Sequence, residues 1–214
     1  MSAAPAARPS QPLSGVGLLL TPGAGADRNQ PALVAVDHAV SAAGGTVRRM
    51  DFPYRKAGRR APDRAPVLMA AVVEEAGPLA EQVERLYLGG RSMGGRMCSM
   101  AVAEGLPAAG LVLVSYPLHP PGRPDRLRTE HFGALRVQCL FVSGTRDGFG
   151  TVAELEEAVT AIPGPVSIRW LPGDHSLRGR DGEVAGIVAG WLAELAPPAS
   201  PAGPAAASRA RRPR

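Results

Sequence analysis

Six short apolar runs, separated by segments with helical spacing, constrain this chain more than any other feature of it. Val16–Leu20, Thr46–Met50, Leu86–Leu88, Gly110–Val114, Val137–Val142 and Val166–Leu171 read as strands. Their near-continuous Val, Leu and Ile content suits strands covered on both faces, as in a parallel sheet. Helical spacing occupies about Pro31–Ala43, Ala65–Glu84, Ser92–Glu104, Val152–Ala161 and Gly182–Leu195. In the last of these, Val184, Ile187, Val188, Trp191, Leu192 and Leu195 recur as one apolar stripe. Thr151 followed three residues later by Glu154 is the pattern of a capping box at the start of its helix. Alternating strands and helices imply right-handed crossovers, so the expected fold class is α/β, with about six mainly parallel strands flanked by helices.

The chain's 214 residues suffice for one domain with a substantial core, and 45% hydrophobic content excludes general disorder. Residues 1–14 and 197–214 are rich in Pro, Ala and Ser without periodicity and are expected to be disordered tails around a domain at 15–196. The net charge of +5 resides in those ends. Arg8, Arg209, Arg211, Arg212 and Arg214 all fall there with no acidic residue beside them. Setting these five aside leaves 19 basic against 19 acidic residues, so the domain is formally neutral. No aromatics interleave with the tail arginines, and no nucleic-acid partner is expected. Cys98 and Cys139 have neither a disulfide framework nor a metal-ligand spacing and are expected as buried thiols in a reducing cytoplasm. No secretory leader and no membrane-length apolar run is evident, so neither export nor a membrane partner is expected.

In an open parallel sheet, functional groups gather beyond the carboxyl ends of the strands. Beyond the third run stands Gly90-Arg91-Ser92-Met93-Gly94, a serine between two glycines where a strand gives way to a helix. A tight turn of this kind lifts a serine hydroxyl above the sheet, and the small neighbours let it close. A serine hydroxyl needs an adjacent base, itself oriented by a third group. Asp147 follows the fifth run and His175 the sixth, so nucleophile, acid and base candidates occur in that chain order after separate strands. An oxyanion would need two backbone donors, for which the amides of Met93 and Ala24 are the candidates.

Plainer roles exist for each. Ser92 can be a helix cap, Asp147 a turn residue before Gly148, and His175 a surface side chain in Gly173-Asp174-His175-Ser176. Asp174 competes as the acid but adjoins His175 too closely in sequence to reach its ring. The Gly23-Ala24-Gly25 loop also suggests dinucleotide binding, yet Arg28 stands where the third glycine belongs. Tyr54, Arg91, Tyr116 and His119 are candidates for the walls of a substrate pocket. Arg55, Lys56, Arg59, Arg60 and Arg64, with Arg123, Arg126 and Arg128, form either a rim that steers an anionic substrate or a solvated face paired with Asp63, Asp125 and Glu130.

Several longer motifs carry a resemblance: L-L-T-P-G-A-G at 19–25, D-F-P-Y-R at 51–55, R-R-A-P-D-R-A-P at 59–66, G-G-R-S-M-G-G-R at 89–96, the stretch 116–131 and S-G-T-R-D-G-F-G at 143–150. Over about residues 15–195 the sequence resembles a small bacterial branch of the α/β-hydrolase superfamily related to dienelactone-hydrolase-like proteins. It is also similar to the hydrolase-like domain of the testis-expressed and histone-acetyltransferase-complex regulatory proteins of animals. The resemblance implies an α/β-hydrolase sheet without a lid domain and Ser92, Asp147 and His175 as a catalytic triad. It departs at Pro22, where much of the branch has histidine, and at Gly148, where proline is frequent. The expectation is a serine hydrolase acting on an ester or thioester of a small acyl substrate, with no metal or organic cofactor. The alternative is a non-catalytic binding or regulatory protein on the same fold.

Overall fold

The computed structural model describes residues 11–196. Strands β1 (Val16–Thr21), β2 (Thr46–Arg49), β3 (Arg85–Arg91), β4 (Gly110–Val114), β5 (Gln138–Gly144) and β6 (Val166–Leu171) form one sheet. Their order is β2-β1-β3-β4-β5-β6, and every neighbouring pair is parallel. Helices α1 (Pro31–Ala42), α2 (Pro53–Lys56), α3 (Ala65–Ala80), α4 (Met93–Ala103), α5 (Val152–Ala158) and α6 (Asp181–Leu195) complete the alternation.

Because side chains alternate across a strand, each central strand feeds two cores. Leu19, Leu88, Leu111, Leu113 and Phe141 face a cluster shared with α3, α4 and α5. Leu18, Leu20, Val112, Val114 and Val142 face the opposite cluster, built on α1 and α6. Double-sided burial holds for the four inner strands, whereas β2 and β6 at the sheet edges are largely half-exposed. Edge position explains why β2 tolerates Arg48 and Arg49.

Several boundaries differ from the sequence expectation for identifiable reasons. Helix α3 stops at Ala80 rather than Glu84. Pro78 lies in its last turn, and the chain must bend so that the amides of Glu84 and Arg85 both reach the carbonyl of Gly15. The N-terminal tail was expected to run to residue 14, but residues 11–14 form a turn with Leu13 fully buried. The Leu13 amide donates to Ala43 (3.0 Å), tying that turn to the end of α1. The remaining tail residues, 1–10 and 197–214, lie outside the described residues. The capping box at α5 is present, with the Thr151 hydroxyl accepting from the Glu154 amide at 3.3 Å and the Thr151 amide donating to Glu154 Oε2 at 2.8 Å.

Phe141 sits at the centre of the α3/α4 core, fully buried with ring centroids 5.9 Å from Tyr116 and 6.1 Å from Phe132. Phe141→Ala is expected to lower stability by about 3–5 kcal/mol through lost burial and the cavity left behind, read as a fall in urea midpoint.

Candidate active site

The chain runs from β1 to β2 on one side of the sheet and then crosses to β3 on the other. The crevice at that reversal, beyond the carboxyl ends of β1 and β3, is where open α/β sheets bind ligands. Its walls are the loop after β1 and the turn between β3 and α4.

That turn is shaped by two close approaches. A Cβ at Gly94 would lie 2.5 Å from the Thr21 carbonyl oxygen and 2.6 Å from that of Pro22, and one at Gly90 would collide with Thr21 as well. Backbone therefore passes where no side chain fits. Ser92, between them, has φ 51° and ψ −118°, a conformation that costs a non-glycine residue about 1–3 kcal/mol. Its amide donates to the Val114 carbonyl (2.8 Å), and helix α4 begins one residue later, so Ser92 is not itself helical.

The hydroxyl of Ser92 meets the ring of His175, with Oγ 2.8 Å from Nε2. On the far side of the ring, Nδ1 lies 2.8 Å from Oδ2 and 3.0 Å from Oδ1 of Asp147. A carboxylate facing Nδ1 favours the tautomer with its proton there, leaving Nε2 free to accept from the serine. Asp147 is 5% exposed and accepts a further hydrogen bond from the Phe149 amide at 2.8 Å. Gly148, between them, leaves that turn intact despite departing from proline. The Phe149 ring lies over the imidazole, centroids 4.0 Å apart. The Arg91 guanidinium donates to the His175 carbonyl and braces the loop. Asp174 instead accepts from the amide and hydroxyl of Ser176, which hold its carboxyl below the usual range, and it makes no hydrogen bond to the imidazole.

Two residues that line the same crevice, Ala24 and Met93, have amides without acceptors. In the loop after β1, the Gly23 amide donates to Gln30 Oε1 (3.0 Å) and the Gly25 amide to the Tyr54 hydroxyl (3.2 Å). The Ala24 amide between them has no hydrogen-bond acceptor among the described residues. The Met93 amide, at the first position of α4, likewise has none. Pro22 leaves this arrangement of amides in place.

These groups share one cleft of about 410 Å³, lined by Ala24, Ser92, Met93 and His175 together with Arg91, Arg96, Arg128 and Phe149. Of the four pocket-wall candidates, only Arg91 lines it. Tyr54 is fully buried and supports the Ala24 loop from behind. Tyr116 is 2% exposed in the aromatic core and donates to the Arg128 carbonyl (2.6 Å). His119 is buried against the Pro120 carbonyl and Glu154. Following a strand put these three near the rim but could not say to which side each side chain turns. Arg96 and Phe149 were missed. Arg96 stands four residues after Ser92, one turn into α4, with its amide donating to the Ser92 carbonyl (3.1 Å). Phe149 follows Asp147 at the interval of an Asx turn.

Burial and the Arg96 cation together depress the neighbouring His131 imidazole to about 4. Its Nε2 is 2.8 Å from Ser99 Oγ. Of the other basic residues singled out in the sequence, Arg55 pairs with Asp27, Arg59 with Asp63, Arg123 with Asp125 and Lys56 with Glu75, whereas Arg60, Arg64 and Arg126 make no ion pair among the described residues. A larger groove of about 610 Å³ between α3 and α4, lined by Met69, Val73, Met100 and Leu106 among others, contains none of the site groups. Among the described residues, no cluster of three or more His, Cys, Asp or Glu could hold a metal ion, and no helix is long and apolar enough to cross a membrane. Cys98 and Cys139 are free and buried, and burial pushes both thiols up to about 12.

Two measurements check this geometry. Ser92→Gly and Ser92→Ala both remove the hydroxyl, but only glycine relieves the backbone. Ser92→Gly should therefore be the more stable by about 1 kcal/mol in urea unfolding, and the reverse order would deny the strained turn. Because His131 holds its proton less tightly when folded than its ordinary 6.5, stability should fall as pH drops from about 6.5 towards 4. It should be insensitive to this group above that window, and His131→Gln should flatten the slope.

Comparison with known proteins agrees with this architecture. A family model described as an alpha/beta hydrolase domain matches residues 14–185. An alpha/beta serine hydrolase without a lid from Xanthomonas campestris is similar at 17% identity and TM-score 0.69, covering 88% of this chain and 85% of that one. Est1E from Butyrivibrio proteoclasticus, with ferulic acid bound, is similar at 15% identity and TM-score 0.70, covering 86% and 90%. The RedJ thioesterase of the prodiginine pathway in Streptomyces coelicolor is similar at 18% identity and TM-score 0.59, covering 87% and 90%. At these identities the likeness is one of fold.

Proposed function

We propose that this chain, which belongs to the alpha/beta hydrolase domain family, is a serine hydrolase that cleaves an ester or thioester of a small acyl group. The observation that carries the reading is the unbroken contact from Ser92 Oγ through His175 to Asp147, beside two amides with no acceptor of their own. Within the family we assign the chain to the small dienelactone-hydrolase-like bacterial branch, related to the testis-expressed and acetyltransferase-complex proteins, on the motifs at 19–25 and 143–150.

In the proposed reaction, Ser92 Oγ attacks the substrate carbonyl carbon while His175 Nε2 takes the hydroxyl proton. Negative charge gathers on the carbonyl oxygen, and the amides of Ala24 and Met93 donate to it, exchanging no bonds they already make. The tetrahedral adduct collapses, the bond to the alkoxide or thiolate breaks, and His175 returns the proton to that leaving group. Water then attacks the acyl-serine with the same assistance, releasing the acid and restoring Ser92. Asp147 keeps the imidazole oriented and stabilises its cation. The reaction balances without a metal, an organic cofactor, a nucleic acid or a membrane surface. The free buried thiols support a reducing, cytoplasmic setting.

A fluorophosphonate probe should label the protein covalently at Ser92, and labelling should vanish in Ser92→Ala. Asp147→Asn should lower kcat for a phenyl ester by about a thousandfold or more, because the wrong tautomer of His175 then faces the serine. Folded protein that neither labels nor turns over such esters would be a non-catalytic member of the family, and the hydrolase reading would fall.

A further inference from the structure

The cleft beside Ser92 carries three arginines and no carboxylate among its lining side chains. Elsewhere some arginines pair with an acid, as Arg59 does with Asp63, and others stand exposed to water without one, as Arg60, Arg64 and Arg126 do among the described residues. Among the described residues neither Arg96 nor Arg128 makes an ion pair or a side-chain hydrogen bond. Arg91 has a partner, since it donates to the His175 carbonyl. Arg96 is the stronger anomaly, for its Nε is buried with no hydrogen-bond partner. A buried guanidinium donor left unmatched costs free energy unless an anion completes it.

The surroundings make Arg96 costlier still. Burial and the Arg96 charge together lower the proton affinity of both Arg128 and His131, so two guanidinium cations stand close together beside an imidazole that stays neutral. Glu130 contributes some favourable field to both but makes no ion pair with either. Arg128 is nevertheless held firmly. Its amide donates to Leu118 (2.8 Å) and its carbonyl accepts from the buried Tyr116 hydroxyl (2.6 Å), so both ends of the residue are fixed to the segment after β4. Arg96 is fixed as rigidly by α4, where its amide donates to Ser92 (3.1 Å). Two unpaired guanidinium groups, carried on backbone that is held in place and lining the same cleft as Ser92, offer paired donors to a planar anion.

Resting on the hydrolase reading and deepening it, we infer that Arg96 and Arg128 form a carboxylate subsite, so that the substrates are esters or thioesters carrying a free carboxylate remote from the scissile carbonyl. The cleft volume limits that substrate to a small molecule, of which a monoester of a short dicarboxylic acid is the simplest member.

The test compares monophenyl esters of short dicarboxylic acids with phenyl esters of monocarboxylic acids of the same chain length. The ratio of kcat/KM, charged over neutral, should be about tenfold or more at low salt, and it should shrink as ionic strength rises. Arg96→Gln and Arg128→Gln should each bring that ratio towards one, with Arg96→Lys and Arg128→Lys recovering part of it. A binding arm uses Ser92→Ala protein, to which monophenyl glutarate should bind at least about tenfold more tightly than phenyl pentanoate by calorimetric titration. The two proposals fail separately. Protein that labels with fluorophosphonate and cleaves neutral esters with a ratio of one or less overturns the carboxylate subsite alone. Protein that does not label, yet binds the monoester through Arg96 and Arg128, overturns the hydrolase reading and retains the subsite. Absence of selective monoester binding by Ser92→Ala overturns the subsite whatever the labelling shows.

Discussion

Everything at the candidate site depends on how closely β1 approaches the turn between β3 and α4. Thr21, the last residue of β1, is fully buried, and its hydroxyl donates to the Gly89 carbonyl (2.9 Å) while contacting Cys98 Sγ at 3.5 Å. Gly90 and Gly94 make room for its backbone, and neither could carry a side chain without moving it. Because the Ala24 loop leaves β1 directly after Thr21, this one contact sets where the Ala24 amide stands relative to Ser92. Gln30 and Tyr54 then hold the flanking amides, so the loop's remaining freedom is removed from both sides.

A second set of contacts carries His175 to the same place. Gly144, ending β5, lies so close to the loop after β6 that a Cβ there would come within 2.6 Å of the Gly173 carbonyl. The amides of Thr145 and Arg146 donate to Leu171 and Gly173, binding the Asp147 turn to the His175 loop. Arg91, at the end of β3, reaches the same loop through the His175 carbonyl. Ser92, Asp147 and His175 thus meet because β3, β5 and β6, parallel and with β4 between the first two, end at the same edge of the sheet and their loops are tied together by hydrogen bonds. The positive φ values at Ser92, Ser115 and Leu177 fall just beyond β3, β4 and in the loop after β6. Backbone strain among non-glycine residues is therefore concentrated at the strand ends around the cleft.

The electrostatics follow a similar division between local and assembled effects. Some of the basic residues crowded in sequence pair with acids within reach on the same surface, as Arg59 does with Asp63 and Arg123 with Asp125. Such exposed pairs contribute little to stability and say little about function. Arg128 stands in the sequence as one of several crowded basic residues and Arg96 as one more helix residue, and only folding brings the two together in a cleft with no carboxylate among its lining side chains. Net charge is therefore a poor guide here to where charge matters.

The alternation of apolar runs and helical spacing by itself determined the parallel α/β sheet, because strands covered on both faces need continuous hydrophobicity and long crossovers. It also determined that Ser92, Asp147 and His175 each follow a strand, since a strand end is legible as the point where an apolar run stops. The glycines around Ser92 were legible for a related reason: a turn that excludes Cβ atoms must be written in glycine. Only the tertiary structure decided which way side chains beyond the strand ends turn. Tyr54, Tyr116 and His119 share the loop positions of a pocket wall, yet packing and hydrogen bonds draw all three inward. Arg96, written as one more helix residue, faces the cleft because α4 leaves the strained turn at a fixed angle to the sheet. Chain order is a one-dimensional property that sequence carries directly, whereas orientation depends on contacts between residues far apart in the chain.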